Sequence, residues 1–320
     1  MTTYQAGQLV SIGTYKGQLD VGFTAIDQPM GLAVSPKGIA IGASNLIWLM
    51  RPALEISNSI EPAGRYDASI VTNGCFVTGN IQGHELAWID DELWGVNTLF
   101  SCICKFSSKF SFIPTWRPQF ISQLAAEDRC HLNGFAVSDN TLLFATALGE
   151  SNYAKGWRPD KSVNGIVVDT LTNQVIARGL SMPHSPRFYR GQLWVLDSGR
   201  GSVVLLDINH PIATVVTSLP GYCRGLAFSG DYAFVGLSRI RETAVFGGLP
   251  IVDSNTELKC GLGAINLVTG KLEATLEFTT GVEEIFDVQI VPQVRNLAVF
   301  GPCPDRDSLT PVWIVPEPQA

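Results

Sequence analysis

The sequence predicts an all-β fold, a six-bladed β-propeller formed by a single domain of residues 1–320. Two observations carry this prediction. One is a strand opening that recurs along the chain, clearest at Gly31–Val34, Gly134–Val137 and Gly225–Phe228. The other is a composition of 46% hydrophobic residues with 31 glycines and 18 prolines, enough for a large core and many turns. Self-similarity of this kind is typical of repeat architectures.

Six positions are equivalent under the repeat, and each marks the start of an innermost strand. Their spacing of 39 to 63 residues is close to the ~40–50 residues that one four-stranded blade occupies. No Ser/Pro-rich or charged linker interrupts the pattern, which favours one domain. The six positions are Met30, His84, Asn133, Ser185, Arg224 and Asp287.

Short aromatic and β-branched runs within each unit predict the strands that follow the opening. Glu92–Thr98 and Gln192–Ser198 are two versions of the second strand. Gly165–Asp169 and Ser202–Asp207 are versions of the third, and Gln174–Ala177 begins a fourth. The strand order therefore runs from the axis to the rim.

The sixth unit lacks an outer strand. Its last apolar run, Leu297–Phe300, is followed by a proline-rich stretch. The N-terminal run Leu9–Tyr15 precedes the first unit, and we expect it to complete the last blade and close the ring. Deletion of residues 1–20 is therefore predicted to lower the stability by several kcal/mol, which a melting-temperature measurement would check.

Charge and apolar patterning exclude several classes of partner. The formal net charge is −7 and no basic stripe occurs, so we expect no binding to nucleic acid or to an anionic membrane. No export signal and no run of ~18 apolar residues occur, so we expect a cytoplasmic protein without a membrane span. Seven scattered cysteines predict free thiols in a reducing compartment.

Three of the four histidines lie at or beside the predicted ring of strand starts. His84, His131 and His184 would converge there with Asp287. Neutral imidazoles and a carboxylate are a ligand set for a divalent transition metal, which would activate water or polarise a carbonyl group. Two alternatives stay open: acid–base chemistry without a metal, or imidazoles that donate to carbonyls of the adjacent blade and close the ring.

Arginines form a second pattern beside the blade openings. A planar guanidinium binds carboxylate or phosphate through two parallel hydrogen bonds, so a convergent set would select a small anionic molecule or an acidic peptide. The alternative is that these arginines pair with acidic residues between blades. The five are Arg129, Arg187, Arg224, Arg239 and Arg241.

Two long insertions are rich in aromatic residues and proline, and such loops often carry function on a rigid scaffold. Trp116 lies in the first and Trp157 in the second, and we expect both at one mouth of the channel. There they would bind a ligand together with Asn133 and Ser185; ordinary packing is the alternative. Neither a Gly-x-Ser-x-Gly elbow nor a phosphate-binding loop is present, which counts against common hydrolases and NTPases.

Five longer motifs, in order along the chain, resemble an uncharacterised family designated TIGR03032 and also described as DUF4915. The resemblance implies a propeller-like architecture and no particular reaction. The motifs are Trp94–Cys102, Glu127–Gly134, Ser181–Arg187, Pro220–Leu226 and Val235–Glu242.

Together these patterns predict an axial polar pocket that binds a small anionic or carbonyl-bearing ligand, with a His-bound metal as one route to catalysis. The candidate catalytic residues are His131, His184, Arg187, Arg224 and Asp287. The alternative is a non-catalytic platform that binds a protein or peptide through the aromatic loops. A closed polar pocket would favour the first function, and a large exposed apolar patch the second.

Overall fold

The computed structural model describes residues 1–208, 212–239, 247–253, 257–307 and 311–315. Their strands form six sheets, one for each predicted blade of a β-propeller. Helical structure in these residues is limited to single turns, and no described helix is long and apolar enough to cross a membrane. The α-helical turns are α1 (Leu54–Ser57), α2 (Pro250–Asp253) and α3 (Pro304–Asp307), and a 3₁₀ turn spans Ser198–Arg200.

The sixth blade joins the two ends of the chain, as the sequence predicts. The N-terminal residues form an antiparallel sheet of β1 (Thr2–Thr3), β2 (Gln8–Tyr15) and β3 (Gln18–Ala25). Thr2 forms an antiparallel bridge with Asp287, and the amide of Phe286 donates to the Thr2 carbonyl at 2.8 Å. The segment around Asp287 is thus the innermost strand of this blade. The structure adds β1 and β3 to the single closing strand that the sequence indicated.

Blades one to five each contain four antiparallel strands that follow one another along the chain. The innermost strands of neighbouring blades contact each other around the axis. Blade one has β4 (Leu32–Ser35), β5 (Gly38–Gly42), β6 (Leu46–Pro52) and β7 (Ala68–Val77), and blade two has β8 (Gly83–Ile89), β9 (Glu92–Asn97), β10 (Cys102–Lys105) and β11 (Ile113–Trp116). Blade three has β12 (Leu132–Ser138), β13 (Thr141–Ala147), β14 (Gly165–Asp169) and β15 (Val175–Leu180). Blade four has β16 (Pro183–Tyr189), β17 (Gln192–Asp197), β18 (Ser202–Leu206) and β19 (Ala213–Ser218), and blade five has β20 (Tyr222–Ser229), β21 (Tyr232–Ser238), β22 (Gly261–Asn266) and β23 (Lys271–Glu277).

The C-terminal strand β24 (Leu297–Phe300) lies in a different blade from the one that the sequence suggested. It pairs in parallel with β7 and forms a fifth, outermost strand of blade one. The physical reason is that β2 and β3 already occupy the outer positions of blade six. Strand β24 pairs instead with the open edge of β7, which would otherwise be unpaired.

The repeated glycines at the strand openings have a packing role. A Cβ at Gly31 would clash with the carbonyl of His84, and a Cβ at Gly225 would clash with the amide of Val288. In both places the backbones of neighbouring innermost strands approach each other too closely for a side chain. The glycine that defines the repeat therefore sets the close spacing of the strands around the axis.

The core consists of apolar layers between neighbouring blades. Side chains alternate between the two faces of each sheet, so consecutive residues enter different layers. Leu193 and Val195 pack in the layer between blades three and four, whereas Trp194 and Leu196 pack between blades four and five. All seven cysteines are free thiols, as the sequence predicts.

Candidate functional site

The starts of the innermost strands meet at one end of the central channel. Three imidazoles and a phenyl ring lie together there: the ring centroid of His84 is 5.0 Å from that of His131 and 6.3 Å from that of His184. The Phe286 centroid lies 5.3 Å from that of His84. We call this region, defined by His84, His131, His184 and Phe286, the histidine end.

The same backbone turn orients His84 and His184. Gln82 and Met182, two residues earlier, have positive φ angles of 52° and 48°. Each turn brings its carbonyl to the following imidazole: Nδ1 of His84 lies 3.0 Å from the Gln82 oxygen, and Nδ1 of His184 lies 2.8 Å from the Met182 oxygen. Because a carbonyl only accepts, Nδ1 carries the hydrogen in both rings. Nε2 of each ring is then an acceptor.

Hydroxyl groups support the same tautomers. The Thr98 hydroxyl lies 2.6 Å from the Leu132 carbonyl, to which it donates, and 2.8 Å from Nδ1 of His84, from which it accepts. The Ser198 and Tyr222 hydroxyls lie 3.2 and 3.4 Å from Nδ1 of His184. These contacts therefore hold both rings in place, with the hydrogen on Nδ1.

Burial keeps these two imidazoles neutral. It lowers the pKa of His84 well below its usual range, and the nearby His131, Arg224 and His184 lower it further. Burial and Arg224 lower the pKa of His184 in the same way. At neutral pH the histidine end therefore presents two neutral imidazoles with acceptor nitrogens.

His131 has a carboxylate partner instead of a carbonyl. Its Nδ1 lies 3.0 and 3.1 Å from the two oxygens of Asp128, and the indole nitrogen of Trp157 donates to Oδ2 of the same carboxylate at 3.0 Å. The ring centroids of His131 and Trp157 are 4.4 Å apart. A carboxylate in this position fixes the imidazole tautomer and stabilises the imidazolium that forms when Nε2 takes a proton.

An apolar cluster packs beside the histidines. Trp157 is buried in it together with Tyr222 and Leu249, which come from other parts of the chain. Trp116, in contrast, is not at this mouth. It ends the outer strand β11 and packs against the layer between blades two and three, because the insertion that contains it forms a strand rather than a channel loop.

Deeper in the channel, Arg187 crosses the axis. Its guanidinium pairs with Glu85, lies 3.8 Å from Oδ1 of Asp287, and donates through Nε to the Leu226 carbonyl at 2.9 Å. These partners belong to blades two, six and five, whereas Arg187 belongs to blade four. Burial raises the pKa of Glu85 to about 7 and also raises that of Asp287, although Arg187 opposes both shifts. We call Glu85, Arg187 and Asp287 the channel triad.

Polar side chains at the strand starts join neighbouring blades: three belong to the predicted ring, and Glu85 lies directly beside it. Each of four side chains bonds to the backbone of the next blade, so the ring-closing role that was open for the histidines belongs to these residues. The bonds run from Asn133 Nδ2 to the Pro183 carbonyl (2.8 Å), from the Gly225 amide to Ser185 Oγ (3.0 Å), from the Phe135 amide to Glu85 Oε2 (3.2 Å) and from the Leu32 amide to Asp287 Oδ2 (2.8 Å).

The predicted arginines do not gather at one anion site. Every one that the structure describes pairs with a carboxylate, and Arg187 does so between blades, as in the alternative that the sequence left open. Arg224 is the member at the histidine end, where its Cζ lies 3.7 Å from the Phe286 centroid. Arg241 lies outside the described residues. The pairs are Arg129 with Glu127 (2.8 Å), Arg187 with Glu85, Arg224 with Glu284 (3.0 Å) and Arg239 with Glu277 (3.5 Å).

A cavity of about 10 Å³ lies between the histidines and the channel triad. Its volume suits about one water molecule or one small ligand group. Across the described ranges of the chain, no three His, Cys, Asp or Glu side chains are placed to hold a metal ion. The geometry therefore gives no support to the predicted metal site of His84, His131 and His184.

Sequence reasoning missed two residues of this region as site residues. Asp128 stands three positions before His131, and this Asp-x-x-His spacing was a visible signal for the pair. Glu85 directly follows His84, but its partner Arg187 is distant in sequence, and no local pattern indicates that they meet.

Comparisons with known proteins give structural neighbours at low identity. The computationally designed protein Ika8 has a TM-score of 0.40 at 14% identity, over 90% of this chain and 76% of that one. A chain of a nidogen/laminin complex has a TM-score of 0.49 at 11% identity, over 90% and 98%. A catalytically inactive virginiamycin B lyase from Staphylococcus aureus has a TM-score of 0.41 at 13% identity, over 73% and 71%. No curated protein matches the chain.

The family comparison is decisive for classification. A model described as a domain of unknown function, DUF4915, matches residues 1–300, which agrees with the resemblance carried by the five sequence motifs. The TIGR03032 designation stays a prediction. The chain belongs to the DUF4915 family.

Proposed function

We propose that the histidine end is a small-ligand site with acid–base chemistry, in which His131 takes a proton from a hydroxyl group of the ligand. The observation that carries this proposal is that His84, His131 and His184 all use Nδ1 for a protein acceptor. Their Nε2 atoms are then acceptors for donor groups of a ligand.

The three imidazoles have different tasks in this proposal. His84 and His184 stay neutral because of burial and orient the ligand by accepting hydrogen bonds. His131 takes the proton at Nε2, and the carboxyl group of Asp128 at Nδ1 stabilises the resulting imidazolium. Arg224, stacked on Phe286, would face the oxygen that becomes more negative when the proton leaves.

The ligand class follows from charge and size. The pairing of Arg224 with Glu284 reduces the net positive charge at this end, so a neutral carbonyl-bearing molecule fits better than a multiply charged anion. The cavity of about 10 Å³ admits a single oxygen or a group of similar size. The rest of the ligand would extend towards His131 and Trp157.

The test compares two neutral probes in protein labelled with ¹⁵N in its histidines. Glycolamide has a hydroxyl and a carbonyl, and 2-methoxyacetamide is its counterpart without the hydroxyl. We expect glycolamide to shift the imidazole nitrogens of His131 and His184, and the methoxy probe to have at least about tenfold lower affinity. Equal affinities, or no shift with either probe, would contradict the proposal.

Two variants localise the effect. His131→Gln should abolish the preference for glycolamide because the proton-accepting nitrogen is lost. Arg190→Gln is the matched control, because Arg190 forms an exposed ion pair with Asp231 at the far end of β16. The control should bind both probes as the wild-type protein does.

A further inference from the structure

Blade six has an incomplete inner edge. In blades one to five the innermost strand pairs along the second strand, whereas in blade six the inner segment forms one bridge, Thr2 to Asp287, among the described residues. Residues 289–294, which follow, form no strand. A cavity of about 180 Å³ lies here, lined by β2, by part of this segment and by strands β4, β5 and β24 of blade one. We call it the blade-six gap.

The backbone of Ile12 faces this gap. The amide and carbonyl groups of a strand point alternately to its two edges. The Val10 amide donates away from β3 to the Met1 carbonyl at 2.8 Å. The Thr14 amide donates away from β3 to the Arg295 carbonyl at 3.2 Å. Ile12 lies between them, so its N–H and C=O point the same way.

No protein group pairs with these two atoms. Neither the N–H nor the C=O of Ile12 bonds to any part of the chain that the structure describes. Ile12 is half-buried and lines the cavity, so its backbone is next to the open space. Backbone donors and acceptors away from bulk water are nearly always satisfied, by protein groups, water or a ligand. A ligand that continues the missing inner strand would satisfy both.

Strand pairing selects the chemistry of that ligand. In an antiparallel pair, two opposite residues exchange both of their hydrogen bonds. The partner of Ile12 therefore needs an N–H and a C=O on either side of one carbon atom, as in a single residue of a peptide. Addition of an extended segment to an open strand edge is a common mode of peptide recognition.

Charge and size narrow the class further. The Arg295 guanidinium at the edge of the gap already donates to the carbonyls of Thr14 and Gly64, so an uncharged ligand suits the remaining groups. The volume of about 180 Å³ exceeds the 150 Å³ or so of a cavity that admits benzene, so one residue with a small side chain fits.

We infer that the blade-six gap binds a small peptide-like molecule, an uncharged residue flanked by two amide groups, which pairs with the backbone of Ile12. The ligand's C=O accepts from the Ile12 N–H, and its N–H donates to the Ile12 carbonyl. Its side chain would contact the apolar wall that Leu32 and Val299 form. The site is separate from the histidine end and does not depend on the chemistry proposed there.

Two isomeric probes test this inference. N-acetyl-L-alaninamide carries a methyl group on its α-carbon, whereas N-acetylsarcosinamide carries it on the nitrogen and so lacks the N–H that would donate to Ile12. We expect the alanine probe to bind at least about fivefold more tightly and to shift the amide proton of Ile12 downfield in ¹H–¹⁵N spectra. Equal affinities, or an Ile12 signal that is unchanged up to the solubility limit of the alanine probe, would overturn the inference.

Variants at Ile12 identify the donor. Ile12→Pro removes the N–H without breaking a bond to β3, and it should weaken binding of the alanine probe at least about fivefold. Ile12→Val keeps the N–H and is the matched control, which should bind as the wild-type protein does. Unchanged binding in Ile12→Pro, or an equal loss in both variants, would contradict pairing with this amide.

A second pair of variants places the ligand if Ile12→Pro folds poorly. Val294→Phe fills the gap from the segment that lines it, so binding of the alanine probe should fall at least about fivefold. Val268→Phe is the same change at a position 77% exposed in a turn of blade five, and it should leave binding unchanged. Full binding in Val294→Phe, or a loss in Val268→Phe, would overturn the location.

Discussion

The two ends of the central channel are built from the same innermost strands but are filled to different extents. The histidine end is nearly filled, with a cavity of about 10 Å³, whereas the cavity on the other side of the channel triad, beside Val34 and Trp88, has about 190 Å³. At the starts of the strands the chain is outside the regular hydrogen-bonded sheet, so loop residues such as Asp128 and Trp157 lie close to the axis there. Further along the strands, side chains of β4, β8, β12 and β16 line the channel. Position along a strand therefore decides which chemistry the axis presents.

The channel triad keeps the two ends apart. Arg187 contacts blades two, five and six, so a single side chain from blade four links these three blades across the channel. The triad places two carboxyl groups and one guanidinium together inside the channel. We therefore expect Arg187 both to stabilise the fold and to separate the two ends of the channel.

The largest expected loss of stability comes from removal of the Arg187 side chain. Arg187→Ala leaves Glu85 and Asp287 buried without their cation, and breaking a buried ion pair in this way costs about 3–5 kcal/mol. Urea unfolding measures the loss. The exposed Arg190→Ala variant should leave the free energy of unfolding nearly unchanged. Adding Glu85→Gln to Arg187→Ala should restore part of the lost free energy of unfolding, because one of the two unpaired carboxyl groups is removed. If Arg187→Ala loses no more than Arg190→Ala, the triad does not stabilise the fold.

A smaller effect distinguishes two tryptophans that look alike in the sequence. Trp157→Phe removes a hydrogen bond of 3.0 Å to the buried Asp128 carboxylate, and bonds to charged groups contribute about 1.5–3 kcal/mol. Trp116→Phe is the matched change, because Nε1 of Trp116 has no acceptor among the residues described. Urea unfolding should therefore show the larger loss for Trp157→Phe. Equal losses would mean that the bond to Asp128 adds nothing.

The pH dependence of stability separates the histidines from the triad. The pKa of Glu85 rises on folding from 4.5 to about 7, so the folded state binds more protons in that range and its stability falls as the pH rises. The pKa of His184 falls on folding from 6.5, so the unfolded state binds more protons below 6.5 and stability falls as the pH decreases. The two contributions oppose each other between about pH 5 and 6.5, each by up to about 1.4 kcal/mol per pH unit.

Single variants should reveal the two slopes. Glu85→Gln removes the contribution that falls with pH, so the unfolding free energy should rise more steeply from pH 5 to 6.5 than in the wild-type protein. His184→Gln should shift the slope in the opposite direction. Urea unfolding at several pH values measures both, and identical pH profiles for the wild-type protein and both variants would contradict the assignments.

Much of the fold could be predicted from the sequence because each blade repeats the same local pattern. The glycine openings and the strand at Gln8–Tyr15 are local signals, and the structure has both at the expected places. The parallel pairing of β24 with β7 has no such signal, because it depends on which edge is open after the ring closes. A sequence repeat therefore predicts the strands inside its units, but it does not predict how segments outside the units, such as β24, pair.

The candidate site was predictable only in part, for a related reason. The convergence of His84, His131 and His184 follows from their places in the repeat. The partners that fix their tautomers do not, because the turns at Gln82 and Met182 are set by backbone angles that the sequence pattern does not show. Arg187 illustrates the limit: its residue type suggested an anion site, whereas its contacts make it the wall of the channel.

The smallest effect, with little change in stability, concerns the tautomer of His131. In Asp128→Asn the indole N–H of Trp157 requires an acceptor, so the amide oxygen of the new side chain should face Trp157 and its NH₂ group should face Nδ1 of His131. Nδ1 must then accept, and the hydrogen moves to Nε2. Two-bond ¹H–¹⁵N NMR spectra distinguish the tautomers, and we expect His131 to switch while His84 and His184 keep the hydrogen on Nδ1. Adding Trp157→Phe removes the constraint on the amide, so the Nδ1–H tautomer should return in part. A His131 tautomer that is unchanged in Asp128→Asn would show that Trp157 does not orient this side chain, and the basis for His131 as the proton acceptor would be lost.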